Sequence, residues 1–163
     1  MKIILLRKLA SELQKISNSD ASKKTNNLAD IMAGKKKIIK TPKALFEFLR
    51  DSEDLKINID SPKGSKKGFG DKKRVLPFNY GEIVGVINPA DMCFWDVIIP
   101  PSEKNLNNRK VYPIGIIRYS IPERIGNDKI IVSSDGILSQ NDKLIIENFF
   151  SDMNQFHDVE WFV

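Results

Sequence analysis

The side chains in this sequence that could do chemistry are mostly carboxylates and amines in three short stretches. Asp91 and Asp96 stand five apart, and Asp128 is followed at once by Lys129 in Gly126-Asn127-Asp128-Lys129. Further upstream, Asp60-Ser61-Pro62-Lys63-Gly64-Ser65-Lys66-Lys67-Gly68 forms a glycine- and lysine-rich turn ahead of Arg74 and Asn79-Tyr80-Gly81. Carboxylate oxygens are hard donors suited to Mg²⁺ or Mn²⁺, and lysines and an arginine stand nearby in the sequence. Other chemistries have little material. The single histidine, His157, and the single cysteine, Cys93, leave no ready Ser-His-Asp or Cys-His arrangement and no multi-ligand zinc site. Neither a GxxxxGK[ST] loop nor a GxGxxG turn occurs.

Taken singly, each stretch has a bland reading. Asp91 and Asp96 could cap a turn and end a strand, Asp-Lys after Gly-Asn is a common hairpin tip, and Pro-Lys-Gly-Ser is a common loop. Tyr80 could be a packing phenol and Arg74 a surface cation. His157 reads as a surface residue, Cys93 as a small buried side chain, and Phe149-Phe150 as core contacts.

Order along the chain says more. Asp60-x-Pro62-Lys63-Gly64-Ser65, Arg74, Pro77-x-Asn79-Tyr80-Gly81-x-Ile83-x-Gly85, Asp96-Val97, Pro113-Ile114-Gly115-Ile116-Ile117, Gly126-x-Asp128-Lys129-Ile130-Ile131-Val132 and Ile146-x-x-Phe149-Phe150 occur in series. This series resembles the soluble, magnesium-dependent inorganic pyrophosphatases, in particular their short bacterial members, over residues 55 to 155. The resemblance implies a five-stranded, OB-like closed barrel with flanking helices and hydrolysis of pyrophosphate, or a related phosphoanhydride, by a metal-bound water. It further implies that Asp91, Asp96 and Asp128 hold the principal metal, with Asp60 as an outer carboxylate. Lys129, Arg74 and Tyr80 would hold phosphate, joined by Lys66 or Lys67 in place of the first-strand lysine. Asp91, Asp96 and Lys129 would be the groups closest to the reaction. The sequence departs from the family at several of its functional positions. Cys93 stands where the family has its middle aspartate, Ile121-Pro122 replaces an acidic pair with only Glu123 nearby, and Leu76 replaces a tyrosine.

The elements that must position these residues follow from patterning. Leu6, Leu9, Leu13 and Ile16 predict an amphipathic helix over residues 2 to 17, and a short helical turn near 28 to 33 should end at Gly34. Thr41-Pro42 predicts a capped helix to about Arg50 that buries Leu45, Phe48 and Leu49. Short β-branched runs predict strands at 55–59, 74–78, 81–87, 94–99, 111–119 and 129–132, too closely spaced for crossover helices. Ser139 should cap a final helix carrying Ile145, Ile146, Phe149, Phe150 and Met153, and residues 159 to 163 could add a strand. The fold expected is α+β, with a helical lysine-rich appendage over residues 1–50 and a barrel domain over 51–163.

At 163 residues, with 41% apolar and 29% charged side chains, the chain can build a real core, which excludes disordered and disulfide-scaffold classes. Its net charge of +5 is unevenly placed: 19 basic against 9 acidic residues up to residue 75, then 7 against 12. Ile3-Ile4-Leu5-Leu6, closed by Arg7-Lys8, is far too short for a signal peptide or membrane span, so a cytoplasmic protein without a membrane role is expected. Lys35 to Lys40 has no interleaved aromatics and reads as a solvated linker whose Ile38-Ile39 could pack on the barrel. That weakens a nucleic-acid partner as the third reading, behind pyrophosphate hydrolysis and a catalytically impaired pyrophosphatase-fold binding module. Homo-oligomer formation stays open.

Overall fold

The computed structural model describes residues 26–69, 72–103, 106 and 110–162. The helix expected over residues 2 to 17 lies outside them. Helical residues 26–32 end at Gly34, whose φ of +74° is the left-handed conformation that stops a helix. Strand β1 (Lys37–Ile38) leads into helix α1 (Pro42–Asp51), which is capped by Thr41 accepting the Ala44 N–H at 3.2 Å. Strands β2 (Ile57–Ser61), β3 (Lys66–Phe69), β4 (Lys72–Val75), β5 (Asn79–Asn88), β6 (Cys93–Ile99), β7 (Tyr112–Ile117) and β8 (Lys129–Ser133) follow. Helix α2 (Gln140–Phe150) is capped by Ser139 accepting the Asp142 N–H, and β9 (Glu160–Trp161) closes the order.

The main sheet has seven strands in the order β1-β5-β6-β8-β7-β9, with β2 pairing on β5. It is mixed: β1–β5 and β6–β8 run parallel, and the remaining pairs run antiparallel. A separate hairpin, β3–β4, pairs Lys67 with Arg74. The mixed α/β character expected from the sequence is present. Among the described residues no strand pairing joins β1 or β2 to β9, so the pairings form an open path instead of the five-stranded closed barrel.

Both faces of the sheet are apolar, as a sheet covered on both sides requires. One face buries Ile57, Ile83, Trp95, Val97, Ile116 and Ile130 against Leu45 and Leu49 of α1. The other buries Tyr80, Ile98, Ile117 and Ile131 against Ile146 and Phe150 of α2 and Phe69 of the hairpin. The described part of the lysine-rich segment is therefore not a free appendage. Leu45 and Leu49 are fully buried, and Trp95 donates its indole N–H to the Ile39 carbonyl at 3.0 Å. A boundary at residue 50 separates no packing units here, because the amphipathic stripe of α1 and the sheet require each other.

Two features shape β5. Gly85 has φ +85°, and the register with β6 shifts between Glu82 and Ile87, which lets one long strand serve β2 along its first half and β1 along its second. Gly81 allows a close approach: a Cβ there would run into the Asn58 carbonyl oxygen and meet Ile59 Cα at 3.0 Å.

Candidate functional site

Tyr80 is the second residue of β5 and points into the α2-side core, 2% exposed. Asp96, on the neighbouring strand, acts on the Tyr80 hydroxyl electrostatically. Asp96 pairs with the ammonium of Lys129 from β8, which also donates to Asn127 Oδ1 at 3.3 Å. Lys129 reaches Asp96 because β6 and β8 run side by side, Val97 opposite Ile130, so residues at the starts of both registers meet. The lysine is 4% exposed, and its charge lies 5.3 Å from the centre of the Tyr119 ring.

The hairpin supplies a second amine. Lys67 Nζ lies 4.3 Å from the centre of the Tyr80 ring, 3.6 Å from Asp60 and 3.3 Å from Ser61 Oγ. Its neighbour Lys66 alternates outward to solvent. Asp60, Lys67, Tyr80, Asp96 and Lys129 thus meet around one buried phenol, with two amines and two carboxylates in alternation.

Other expected site residues sit elsewhere. Arg74 makes a two-pronged bond to Asp152, at 2.7 and 2.9 Å, beside a cleft of about 270 Å³ that Lys72 and Asn154 also line. That pair raises the arginine's pKa and lowers that of the Asp152 carboxyl. Asp91 Oδ1 accepts the Cys93 N–H at 2.9 Å, the turn-capping role of the bland reading. Asp128 is reached by Arg118 at 3.3 Å, and Arg118 also lies 3.4 Å from Glu160. Burial pushes the Asp128 carboxyl upward, an effect that Arg118 partly offsets. Glu123 is exposed on a 3-10 turn, Pro122–Arg124, while Leu76 is buried in the α2-side core.

Among the described residues no group of three or more His, Cys, Asp and Glu side chains converges as a metal cage. The donors themselves fit Mg²⁺ in kind, being carboxylate oxygens. An ion at Asp96 would compete with the Lys129 ammonium for the same oxygen.

Sequence reasoning missed two asparagines. Asn88, 2% exposed, donates to the Gly126 carbonyl and accepts the Ala90 N–H, both at 2.9 Å, and so ties the Asp91 turn to the Asp128 turn. Asn27, 4% exposed, donates to the Met92 carbonyl at 2.9 Å. An asparagine in sequence signals a turn, and nothing local marks one that bridges two turns. Asn79 proves to be an anchor, accepting the Lys63 N–H at 2.8 Å and holding the Pro62–Ser65 turn beside the hairpin.

Comparison of the chain with protein-family models, curated proteins and solved structures finds no match. No helix among the described residues is long and apolar enough to cross a membrane.

The Tyr80 environment has a measurable signature. Burial, and then the charge of Asp96, raise the phenol well above its ordinary value of 10.0. The folded state keeps a proton that the unfolded chain releases, so stability should fall as pH climbs above 10.0. In urea titrations at rising alkaline pH, Tyr80→Phe should lose less stability per pH step than the wild type. Parallel curves would show that Tyr80 does not contribute to the alkaline loss.

Proposed function

We propose that this chain is a pyrophosphatase-type protein that binds a small phosphoanhydride and hydrolyses it with Mg²⁺. The observation that carries the reading is the convergence of Asp60, Lys67, Tyr80, Asp96 and Lys129, drawn from five separate strands. Alternating charge of both signs is what a site for a phosphate and its counter-cation requires. Asp96 would hold the ion, with Asp60 as an outer carboxylate; Asp91 and Asp128 would join it only by giving up the Cys93 amide and Arg118. When bound, the ion lowers the pKa of a water and neutralises phosphate charge. Lys67 and Lys129 would hold phosphate oxygens. Tyr80, kept protonated by burial, would donate to one of them or keep Asp96 in place. Arg74, joined to Asp152, would hold phosphate only by exchanging that carboxylate for it.

The same reading carries the finer expectation of an OB-like barrel, supported by the bulged, glycine-bent β5 that a curling sheet needs. It also carries a cytoplasmic location. The deciding measurement is phosphate release from pyrophosphate with Mg²⁺ or Mn²⁺, comparing wild type with Asp96→Asn. Release should fall by about 100-fold or more, at or beyond the upper range for loss of a group that orients a metal site. No release with either ion, or release indifferent to the substitution, would reject the hydrolytic reading.

One observation favours a second reading, a pyrophosphatase-fold binding module without turnover: the Asp91 carboxylate already accepts the amide of Cys93, which itself replaces an acid. Calorimetry would then register pyrophosphate binding while the phosphate assay stays at background.

A further inference from the structure

The turn between β5 and β6 carries Asp91, and Met92 within it has φ +61°, an unusual conformation for a residue with a side chain. Such a backbone persists only where its surroundings hold it. On one side Asn88 fixes the turn to Gly126, and the Gly126 backbone packs where a Cβ would lie 3.3 Å from Ala90 Cβ. On the other side stands the helical segment before Gly34. Asn27 donates to the Met92 carbonyl, and Lys36 in turn donates to Asn27 Oδ1 at 2.9 Å and pairs with Asp30 at 2.8 Å. The Lys36 ammonium also lies 5.0 Å from the centre of the Phe94 ring. Met92 and Ile87 are buried, with Leu28, Ile31 and Ile38 packed against them.

We propose that residues 27–36 form a positioning clamp on the Asp91 turn, with Asn27 and Lys36 as its polar latch, so that docking of this segment sets the conformation in which the turn holds Asp91. The effect on catalysis rests on the hydrolytic reading above; the clamp itself does not. Asn27 and Lys36 touch no expected ligand of the ion, so both are positioning residues. Opening the latch frees the Met92 carbonyl, lets the strained turn relax and moves Asp91 with it.

Cys93, the only cysteine, reports on this turn directly. In the full chain, Asn27→Ala and Lys36→Gln should each raise the rate of Cys93 modification by an aromatic disulfide reagent by about tenfold, the equivalent of one lost hydrogen bond. Lys43→Gln, at an exposed position on α1, should leave the rate within about twofold. The Mg²⁺ concentration giving half-maximal phosphate release should rise in both latch variants, while the rate at saturating Mg²⁺ is retained. Hydrogen exchange on the wild-type chain supplies an arm that needs no variant. Amides 92–94 should open together with amides 27–36. Unchanged thiol rates in both folded variants, or turn amides that exchange independently of the segment, would overturn the clamp. Faster thiol modification without phosphate release in any form would uphold the clamp and reject the hydrolytic reading.

Discussion

Replacing Lys129 by methionine should cost about 3 kcal/mol of folding stability, since removing one partner of a buried pair strands the other charge. The Lys129 side chain is 5% exposed and that of Asp96 22%, so the carboxylate keeps some solvent, which places the loss at the low end for such pairs. Phosphate release should vanish with it, because Lys129 is both the proposed phosphate holder and the counter-charge that orders Asp96. The two effects separate in the double variant Lys129→Met with Asp96→Asn. With no stranded charge, stability should recover by roughly 1 to 2 kcal/mol relative to Lys129→Met alone, whereas release should remain absent. A double variant no more stable than the single one, measured by chemical denaturation, would show that the pair is not the coupled unit described.

Gly81→Ala should be as damaging by a different route. The new methyl would enter the space of the Asn58 carbonyl and press on Ile59 Cα at 3.0 Å, both backbone atoms of β2 that cannot rotate away. The strand would have to separate from β5, at about 3 kcal/mol, the upper end for overpacking. Because β2 ends at Asp60-Ser61, the same displacement removes the partners of Lys67 and lets it swing from Tyr80. Equilibrium unfolding should shift to lower denaturant concentration. A variant of wild-type stability would contradict the β2–β5 register.

Much of the fold is written in local pattern. Thr41-Pro42 and Ser139 cap the helices where their spacing predicts, because a cap needs only its own side chain and an amide three residues on. Strands β5, β6 and β8 follow runs of Ile and Val buried from both faces. Strand β3 escaped, and the pattern predicts β4 only at Arg74-Val75, because Lys66-Lys67-Gly68 and Lys72-Lys73-Arg74 show no apolar alternation; the hairpin's one deep anchor is Phe69. β1 escaped for the same reason, since the run Lys35 to Lys37 hides the start of a two-residue strand, Lys37 and Ile38, that pairs with β5. Closure of a sheet depends on strands far apart in sequence, and no local pattern encodes it.

The site divides similarly. Tyr80, Asp96 and Lys129 stand together as their order along the chain implies, and the hairpin brings Lys67 beside them while Lys66 alternates outward. Arg74 could not be placed by sequence, because its partner Asp152 lies beyond α2, where no motif points to it. Asn27 and Asn88 act through carbonyls of distant turns, a role set by tertiary packing alone.

The sheet order has a consequence for synthesis of the chain. β8 lies between β6 and β7, although both precede it in sequence. A polypeptide emerging from its N-terminus therefore presents facing edges of β6 and β7, rich in Ile and Val, with no strand between them until Lys129–Ser133 has left the ribosome. Unpaired apolar edges are where growing chains associate wrongly. The interval between the emergence of Ile117 and that of Ser133 is the one in which these two edges lack their shared partner.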